Sequence, residues 1–306
     1  MPATPTHYES DEEDSGRWMN FHFRQGDIVI STRSKSGTTW MQMICALLVF
    51  QRPVLPAPLN ELSPWLDWRI RPVEAVYAQL DAQQHRRFIK THTPLDGVLL
   101  DDRATYVVVA RDPRDMYVSL YHQGDNIDRA VVRRLLGRPA PAPAQASTPR
   151  RPDLHQALLD WIDGDASPHE QMDSIRGVLW HLSDAWARRD APNVVLVHYD
   201  DLLQDLDGQM RRLAARLGIT VAEATWPELV QAASFDHMRE RADDLVPSAD
   251  GVLKDAHAFF RRGTSGAWRD LLTTDEVAHY EQRVASLAPP DLLEWLHRSP
   301  RRVLGA

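Results

Sequence analysis

Short apolar runs alternate along the chain with segments whose apolar residues recur at helical spacing. The runs at 27–32, 86–92, 105–111 and 193–199 predict strands, and TYVVVAR at 105–111 has the continuous β-branched character of a strand buried on both faces. Helical patterns are strongest near 37–50, 114–122, 170–189, 201–217, 226–233 and 274–286, and 239–268 is irregular. This alternation predicts an α/β fold with helices around a central, mainly parallel sheet.

Two stretches interrupt the pattern. Residues 1–16 are acidic and poor in apolar side chains, which predicts a disordered or loosely attached leader. Residues 137–152 hold five prolines among small residues and lie within a longer insertion at about 124–170. We interpret this insertion as either a lid or a silent loop. The remainder, residues 17–306, is expected to form a single domain.

Length and composition narrow the functional classes. At 306 residues the chain can bury a large core, and its 43% apolar and 25% charged residues are ordinary for a globular protein. A net charge of −8 argues against a nucleic-acid partner, although a local basic pocket could still bind an anion. The single cysteine, Cys45, excludes a disulfide framework. Because no targeting leader and no run of ~20 apolar residues is visible, we expect a cytoplasmic protein without a transmembrane segment.

The segment 27–50 combines a strand, a short loop containing Lys35 and a helix that begins near Gly37. A helix N-terminus presents unpaired backbone N–H groups and a partial positive charge. Gly37 lets a ligand approach the backbone closely, and three neighbours add hydroxyl donors: Ser36, Thr38 and Thr39. The pattern therefore predicts a site for an anion the size of phosphate or sulfate.

Ligands of parallel α/β sheets bind at the carboxyl ends of the strands, where His92, Arg111 and Tyr199 also fall. Lys90 and His92 are two apart on a predicted strand, so their side chains share a face. A histidine can accept a proton from a hydroxyl near neutral pH, and Lys90 can stabilise negative charge beside it. Taken alone, however, a Lys-Thr-His sequence is more typical of an ordinary surface histidine.

The strand end at Arg111 carries a second candidate anion site. Arg111 could bind a phosphate through its planar guanidinium, with Ser119 donating from the following helix. In that helix Asp112 suits the N-cap and Pro113 the first helical position. Asp115 suits the reciprocal cap three residues after Asp112. The alternative interpretation is that Arg111 simply pairs with Asp112 or Asp115.

A further basic motif, Arg261-Arg262-Gly263, lies in the irregular segment, and alone it is also typical of two solvated arginines. Together the motifs resemble the cytosolic-type sulfotransferases that use 3′-phosphoadenosine 5′-phosphosulfate (PAPS), in their bacterial branch. The motifs follow the family's order: SKSGTTW at 34–40, KTH at 90–92, RDPRD at 111–115 with Ser119, and RRGTSGAW at 261–268. The resemblance covers about 25–123 and 193–275 and implies a P-loop-like three-layer fold.

The resemblance implies a role for each matching residue. The 5′-phosphosulfate of PAPS would be held by Lys35 and the backbone of Ser36, Gly37, Thr38 and Thr39. The 3′-phosphate would be bound by Arg111, Ser119, Arg261, Arg262 and Gly263. Trp40, Tyr199 and Phe235 match positions near the adenine base, although spacing alone would favour core packing for Trp40 and Phe235. His92 would act as general base, while Lys35 and Lys90 offset charge on the transferred sulfuryl group, and no metal is required.

The acceptor implied by the resemblance is a hydroxyl of a small or lipid-like molecule, such as a glycolipid or a sterol alcohol. PWLDWRIRP at 64–72 and the Pro-rich insertion are similar to bacterial members of this type. An apolar acceptor pocket could be lined by aromatic residues that would otherwise pack in the core: Trp65, Trp68, Phe88, Tyr117 and Tyr121. The family's dimerisation motif is not matched, because Arg269 and Ala278 replace its Lys and Glu, so the sequence predicts no oligomeric state.

Two other functions compete with sulfuryl transfer. The first is a P-loop kinase or NTPase, but a Walker loop places its Lys directly after the last Gly, whereas Lys35 precedes Gly37. The second is a catalytically silent nucleotide-binding protein. In that case the arginines near the Pro-rich loop could make transient contact with an anionic membrane surface, namely Arg133, Arg134, Arg138, Arg150 and Arg151.

Overall fold

A parallel sheet lies at the centre of the residues that the computed structural model describes, 4–139, 151–246 and 251–298. Its strands are β1 (Ile28–Thr32), β2 (Phe88–Thr91), β3 (Thr105–Ala110) and β4 (Val194–His198), in the order β2-β1-β3-β4. Ile28 is in register with Phe88 on one side and with Thr105 on the other. Because all pairings are parallel, the carboxyl ends of the strands meet at one edge of the sheet.

Helices flank both faces of the sheet. In chain order they are α1 (Thr38–Phe50), α2 (Leu59–Leu62), α3 (Val73–Ala82), α4 (Pro113–Asn126), α5 (Arg129–Leu135), α6 (Leu154–Asp163), α7 (Ile175–Ala187), α8 (Tyr199–Gln204), α9 (Leu206–Leu217), α10 (Trp226–Ala232), α11 (Phe235–Glu240), α12 (Ala242–Leu245), α13 (Ala256–Phe259), α14 (Thr274–Ala285) and α15 (Pro290–Leu296). Short 3₁₀ turns cover Ser15–Trp18, Leu95–Gly97, Glu223–Thr225 and Ala267–Asp270. Among the described residues, no helix has both the length and the apolar character needed to cross a membrane.

Alternate strand residues enter two separate hydrophobic clusters, one on each face of the sheet. Val107 and Val109 of β3 pack with the apolar side of α1, whereas Tyr106 and Val108 pack with α7 and α14. Cys45 is a free, buried thiol in α1. The predicted α/β fold with a parallel central sheet between helical layers is therefore confirmed.

The N-terminal segment differs from the disordered leader that its composition predicted. Residues 4–16 lie against the domain, and Tyr8 is only 5% exposed, with its hydroxyl bonded to the Asp96 carboxylate at 2.9 Å. Glu13 forms an antiparallel bridge with Trp68, and the Asp14 N–H donates to the Asp67 carbonyl at 2.9 Å. Acidic composition was misleading here because one buried aromatic ring and backbone pairing are enough to anchor the segment.

At the start of α4, one of the two predicted helix caps is present and the other is not. The Asp112 side chain caps the helix, accepting from the Arg114 N–H at 2.9 Å. Asp115 does not make the expected reciprocal cap; its carboxylate accepts from Gly266 N–H at 2.7 Å and Ala267 N–H at 2.8 Å. Asp115 therefore ties α4 to the irregular segment, so the third and fourth motifs meet.

The predicted insertion at 124–170 is only partly irregular. It contains the end of α4 and the whole of α5 and α6; α6 packs on α4 and α14, and α5 buries Val132. Residues 140–150, most of the Pro-rich stretch, lie outside the described residues. Whether the insertion acts as a lid therefore stays a prediction.

Candidate functional site

The loop between β1 and α1 has an unusual backbone. Lys35 has φ +60° and Gly37 has φ +105°, so the chain turns sharply and exposes the N-terminus of α1. A Cβ at residue 37 would lie 3.0 Å from the Tyr199 ring, which is a second reason for glycine there. Beneath the loop, the Thr32 and Thr38 hydroxyls are hydrogen-bonded to each other. This is the concave, N–H-lined shape that binds a phosphate or sulfate.

Lys35 stands at the mouth of this loop. Its Nζ lies 3.3 Å from Gln123 Oε1 and 3.8 Å from the centre of the Phe259 ring. Burial, followed by the neighbouring charges of Arg111 and Lys90, lowers the pKa of Lys35 to about 7. An anion bound here would offset those charges and restore the full positive charge of Lys35.

Arg111 connects the loop to the fourth motif. Its Nη1 donates to the Lys35 carbonyl at 3.0 Å and its Nη2 donates to the Thr264 carbonyl at 2.9 Å. Its Nε is buried without a hydrogen-bond partner among the described residues. The expected alternative, a pair with Asp112, is not formed, since that carboxylate pairs with Arg114 at 2.7 Å. Arg111 is thus held in place with one donor still available.

The irregular segment brings a second basic loop to the same place. Gly263 has φ +62°, and a Cβ there would overlap the Phe235 ring. Arg261 is partly buried, and burial together with Arg262 and Arg111 lowers its pKa. Close packing of Gly263 on Phe235 therefore fixes the direction in which these arginines enter the site.

Tyr199 and Trp40 form an aromatic wall between the two basic loops. Their rings meet edge to face at 5.3 Å, and the Arg111 guanidinium lies 4.4 Å from the centre of the Tyr199 ring. The Trp40 indole N–H donates to the Ala233 carbonyl at 2.8 Å. An aromatic wall beside a cationic loop suits a flat base attached to a phosphate.

His92 directly follows β2 and is 5% exposed. Its Nδ1 is hydrogen-bonded to the Thr32 carbonyl, which can only accept, so Nδ1 carries the proton and Nε2 has a free lone pair. Burial, Lys90 and Arg33 hold the pKa of His92 well below its ordinary value. The imidazole is therefore neutral near pH 7, as a general base must be.

Lys90 and His92 both contact the Trp65 indole. Its Nζ lies 3.7 Å from the centre of the Trp65 ring, and that ring meets the His92 imidazole edge to face at 4.6 Å. Burial lowers the pKa of Lys90 to about 8, against the opposing effect of nearby carboxylates. Lys90 therefore keeps most of its charge at pH 7.

One cavity of about 730 Å³ connects these groups. It is lined by nearly all of the predicted site residues: Lys35, Gly37, Thr38, Thr39, Trp40, Lys90, His92, Arg111, Ser119, Tyr199, Phe235, Arg261, Arg262 and Gly263. Ser36 is the exception, because it is buried under the loop and its N–H donates to the Arg33 carbonyl at 3.2 Å. Motifs far apart in sequence thus converge on a single cavity.

The aromatic residues proposed for an acceptor pocket separate into two groups. Trp65, Trp68, Tyr117 and Tyr121 line the cavity. Phe88 does not; it is fully buried in the core beside Phe50, so its assignment to the pocket was wrong. Phe88 lies on the same face of β2 as Lys90, but it is at the beginning of the strand. Its phenyl ring is therefore inside the core and not at the carboxyl edge of the sheet.

Several charged residues at the His92 end were not found from the sequence. Arg33 is 2% exposed, donates to the His92 carbonyl and pairs with Asp173 at 2.8 Å. Asp67 is fully buried and accepts from the Thr91 and Thr93 hydroxyls. No local sequence pattern marks any of them.

A P-loop-like α/β fold with a cationic strand-loop-helix unit is typical of enzymes that bind and transfer anionic groups. Residues 25–299 match the model of the family described as Sulfotransferase domain. The chain belongs to this family and is a sulfotransferase. The kinase and the catalytically silent alternatives are therefore set aside.

Similar proteins agree with this assignment. The chain is 44% identical to a glycolipid sulfotransferase of Mycobacterium bovis over 309 residues, which span 96% of this chain and 94% of the relative. It is 44% identical to a glycolipid sulfotransferase of Mycobacterium tuberculosis over 310 residues, with the same coverage of 96% and 94%. The solved structure of a mouse sulfotransferase complexed with PAP has the same fold, with a TM-score of 0.63 and 20% identity, covering 89% of this chain and 88% of that one.

Proposed function

We propose that this sulfotransferase moves the sulfuryl group of PAPS to a hydroxyl of a glycolipid. The observation that carries the proposal is the shared cavity, in which the free Nε2 of His92 and the cationic loop of Lys35 face one space. The relatives named for glycolipid sulfation, 44% identical over nearly the whole chain, support the acceptor class. The PAP bound by the mouse enzyme, which is PAPS without its sulfuryl group, supports the donor.

In the proposed reaction the residues act by position and charge. His92 Nε2 removes the acceptor proton as the oxygen attacks sulfur, and the sulfur–oxygen bond to the 5′-phosphate breaks on the opposite side. Lys35 and Lys90 offset negative charge on the transferred group and the leaving phosphate, and Thr38 and Thr39 donate to it from the start of α1. The products are the sulfate ester, PAP and the proton held by His92.

The second basic loop would bind the other end of the donor. Arg111, through its available Nε, would hold the 3′-phosphate together with the side chains around it: Ser119, Arg261 and Arg262. Tyr199, Trp40 and Phe235 would contact the adenine. Burial, followed by the neighbouring positive charges, lowers the pKa of both Lys35 and Arg261, and the fit is supported because two phosphates would offset those charges.

We also propose a cytoplasmic location, supported by the resemblance to cytosolic-type enzymes, with at most transient membrane contact. Arg138 pairs with Asp11 and Arg151 pairs with Asp125, so two of the arginines considered for lipid binding are already neutralised. Arg150 lies outside the described residues.

An acceptor panel with labelled PAPS tests the proposed function. Octyl glycosides, glycolipid extracts, sterols and long-chain alcohols would be incubated with the enzyme, and labelled sulfate esters detected by mass spectrometry. We expect esters of the sugar-bearing acceptors. Esters confined to sterols or alcohols would overturn the acceptor class, and tight PAP binding without any ester would overturn the proposed reaction.

His92→Ala tests the assignment of the general base. We expect turnover to fall by roughly two orders of magnitude or more, the usual contribution of a general base, while PAP affinity changes less than about twofold. His181→Ala is the matched control, because His181 is equally buried near the sheet and bonds to Ser31 but does not line the cavity. Unchanged turnover in His92→Ala would contradict the mechanism.

A further inference from the structure

The acidic N-terminal segment forms a wall of the cavity at the His92 end. The stretch 8–13 lines the cavity beside the two tryptophans. Its backbone is fixed there, because the Arg69 N–H donates to the Glu12 carbonyl at 2.8 Å and the Asp14 N–H donates to the Asp67 carbonyl at 2.9 Å. Glu13, between these two bonds, is held opposite Trp68.

Glu13 differs from the other carboxylates of this wall. Glu9 pairs with Arg69 at 2.8 Å, Glu12 pairs with Arg129 at 3.3 Å, and Asp11 pairs with Arg138. The Glu13 carboxyl has no hydrogen-bond or ion-pair partner among the residues that the structure describes, and it lines the cavity. Burial, together with Asp67 and Asp173 and against the attraction of Arg33, raises the pKa of Glu13. The Glu13 carboxyl is partly buried and lines the cavity without a partner among the described residues, so a ligand that supplies one is favoured.

The tryptophans beside Glu13 offer a complementary surface. Trp65 and Trp68 stack at 4.6 Å with an interplanar angle of 21°, and Trp65 contacts His92. Both indole Nε1 atoms are buried without a hydrogen-bond partner among the described residues. A flat apolar face next to a free carboxyl and two free N–H donors suits a ring that is apolar on its faces and carries hydroxyls at its edge. A sugar has these properties, whereas an aliphatic alcohol does not.

We infer that Glu13 is a positioning residue for the acceptor: its carboxyl bonds the sugar hydroxyls next to the one that His92 activates, while the ring packs on the paired tryptophans. This inference rests on the proposed function and deepens it, because it assigns sugar recognition to the N-terminal wall. Selectivity follows from the same contacts, since a site built to bond hydroxyls disfavours a molecule that lacks them.

Two acceptors with the same alkyl chain, octyl β-glucoside and 1-octanol, separate sugar recognition from general activity. The kcat/KM for each would be measured with labelled PAPS in the wild type, Glu13→Ala and Glu13→Asp, with PAP affinity as a check on the donor site. Glu9→Ala is the matched control, because it removes a carboxylate from the same segment that is already paired with Arg69.

We expect Glu13→Ala to lower kcat/KM for octyl glucoside about tenfold, the effect of one lost hydrogen bond of about 1.4 kcal/mol, with 1-octanol unchanged within about twofold. Glu13→Asp should lose less of the selectivity for octyl glucoside over 1-octanol than Glu13→Ala does. If the alanine variant does not fold, the aspartate variant provides the test. An equal loss for both acceptors, or none, would overturn the inference. Wild-type activity on octanol alone would also overturn it, whereas PAP binding without transfer to either acceptor would instead overturn the proposed function.

Discussion

The protonation state of Lys35 is set by its neighbours rather than by its own chemistry. In the free protein, burial and the charges of Arg111 and Lys90 lower the pKa of Lys35 to about 7, so the side chain is half charged near neutral pH. A bound phosphate favours the charged form and raises that pKa. Binding of PAP above pH 7 must therefore take up a proton.

The pH dependence of PAP binding follows from this linkage. Because the charged form of Lys35 is favoured only in the complex, we expect PAP affinity to fall as the pH rises from 7 to 9, by at most about tenfold per pH unit. Isothermal titration calorimetry in two buffers of different ionisation enthalpy would measure the proton uptake directly. Lys35→Arg is the control, since a guanidinium stays charged throughout this range. A pH-independent affinity in the wild type would contradict the assignment.

Single residues were predictable from the sequence where they belong to a compact motif. Lys35, His92 and Arg111 each follow a strand, and parallel strands bring their carboxyl ends together regardless of the loop conformations. Glu13 and Arg33 were not predictable, because their position depends on a backbone bridge to Trp68 and an ion pair with Asp173, 140 residues away in sequence. No local pattern encodes such partners.

At the scale of elements, the second basic loop depends on a contact between glycine and an aromatic ring. Gly263 combines a positive φ with close packing on Phe235 of α11, and this contact sets the path of the adjoining arginines. Asp115 of α4 holds the other end of the loop through the Gly266 N–H. Two helices therefore position a loop that has no regular structure of its own.

Gly263→Ala tests this contact. The new methyl group would overlap the Phe235 ring, so the ring or the loop must move, and we expect PAP affinity to fall about tenfold or more. Gly218→Ala is a matched control, because its φ of +64° is nearly the same but nothing lies within 4 Å of the new Cβ. Both variants should lose roughly 1 kcal/mol of stability from backbone strain, and Gly263→Ala should lose more because the ring or the loop must also move. Equal PAP affinity in the two variants would refute the proposed role.

The elements themselves were predictable to different degrees. The strands were found because β-branched runs buried on both faces have few alternatives. The predicted helix at 201–217 is two helices, because the Asp205 side chain ends α8 and caps α9 by accepting from the Gly208 N–H at 2.9 Å. The final helix α15 was missed because its seven residues begin at Pro290 and are too few for a clear period.

At the scale of the whole molecule, a protein with a net charge of −8 brings several cations from distant parts of the sequence to one cavity. The cavity receives Lys35 from the first strand, Arg111 from the third, and Arg261 and Arg262 from a loop 150 residues further along. These cations repel each other in the free protein, and a doubly phosphorylated ligand would offset that repulsion. Ligand binding should therefore stabilise the whole fold.

Thermal unfolding with PAP and with AMP, which lacks the 3′-phosphate, measures this coupling. PAP at 100 times its Kd adds about 2.7 kcal/mol to the free energy of unfolding, so we expect Tm to rise by roughly 5 °C for a chain of this size. Arg262→Ala, which removes an exposed arginine of the second loop, should reduce the PAP-induced rise by about half or more, since a charge-assisted hydrogen bond contributes about 1.5–3 kcal/mol. The smaller rise caused by AMP should be unaffected, because AMP does not reach that loop. A variant that loses the PAP and AMP effects equally would show that Arg262 does not bind the 3′-phosphate.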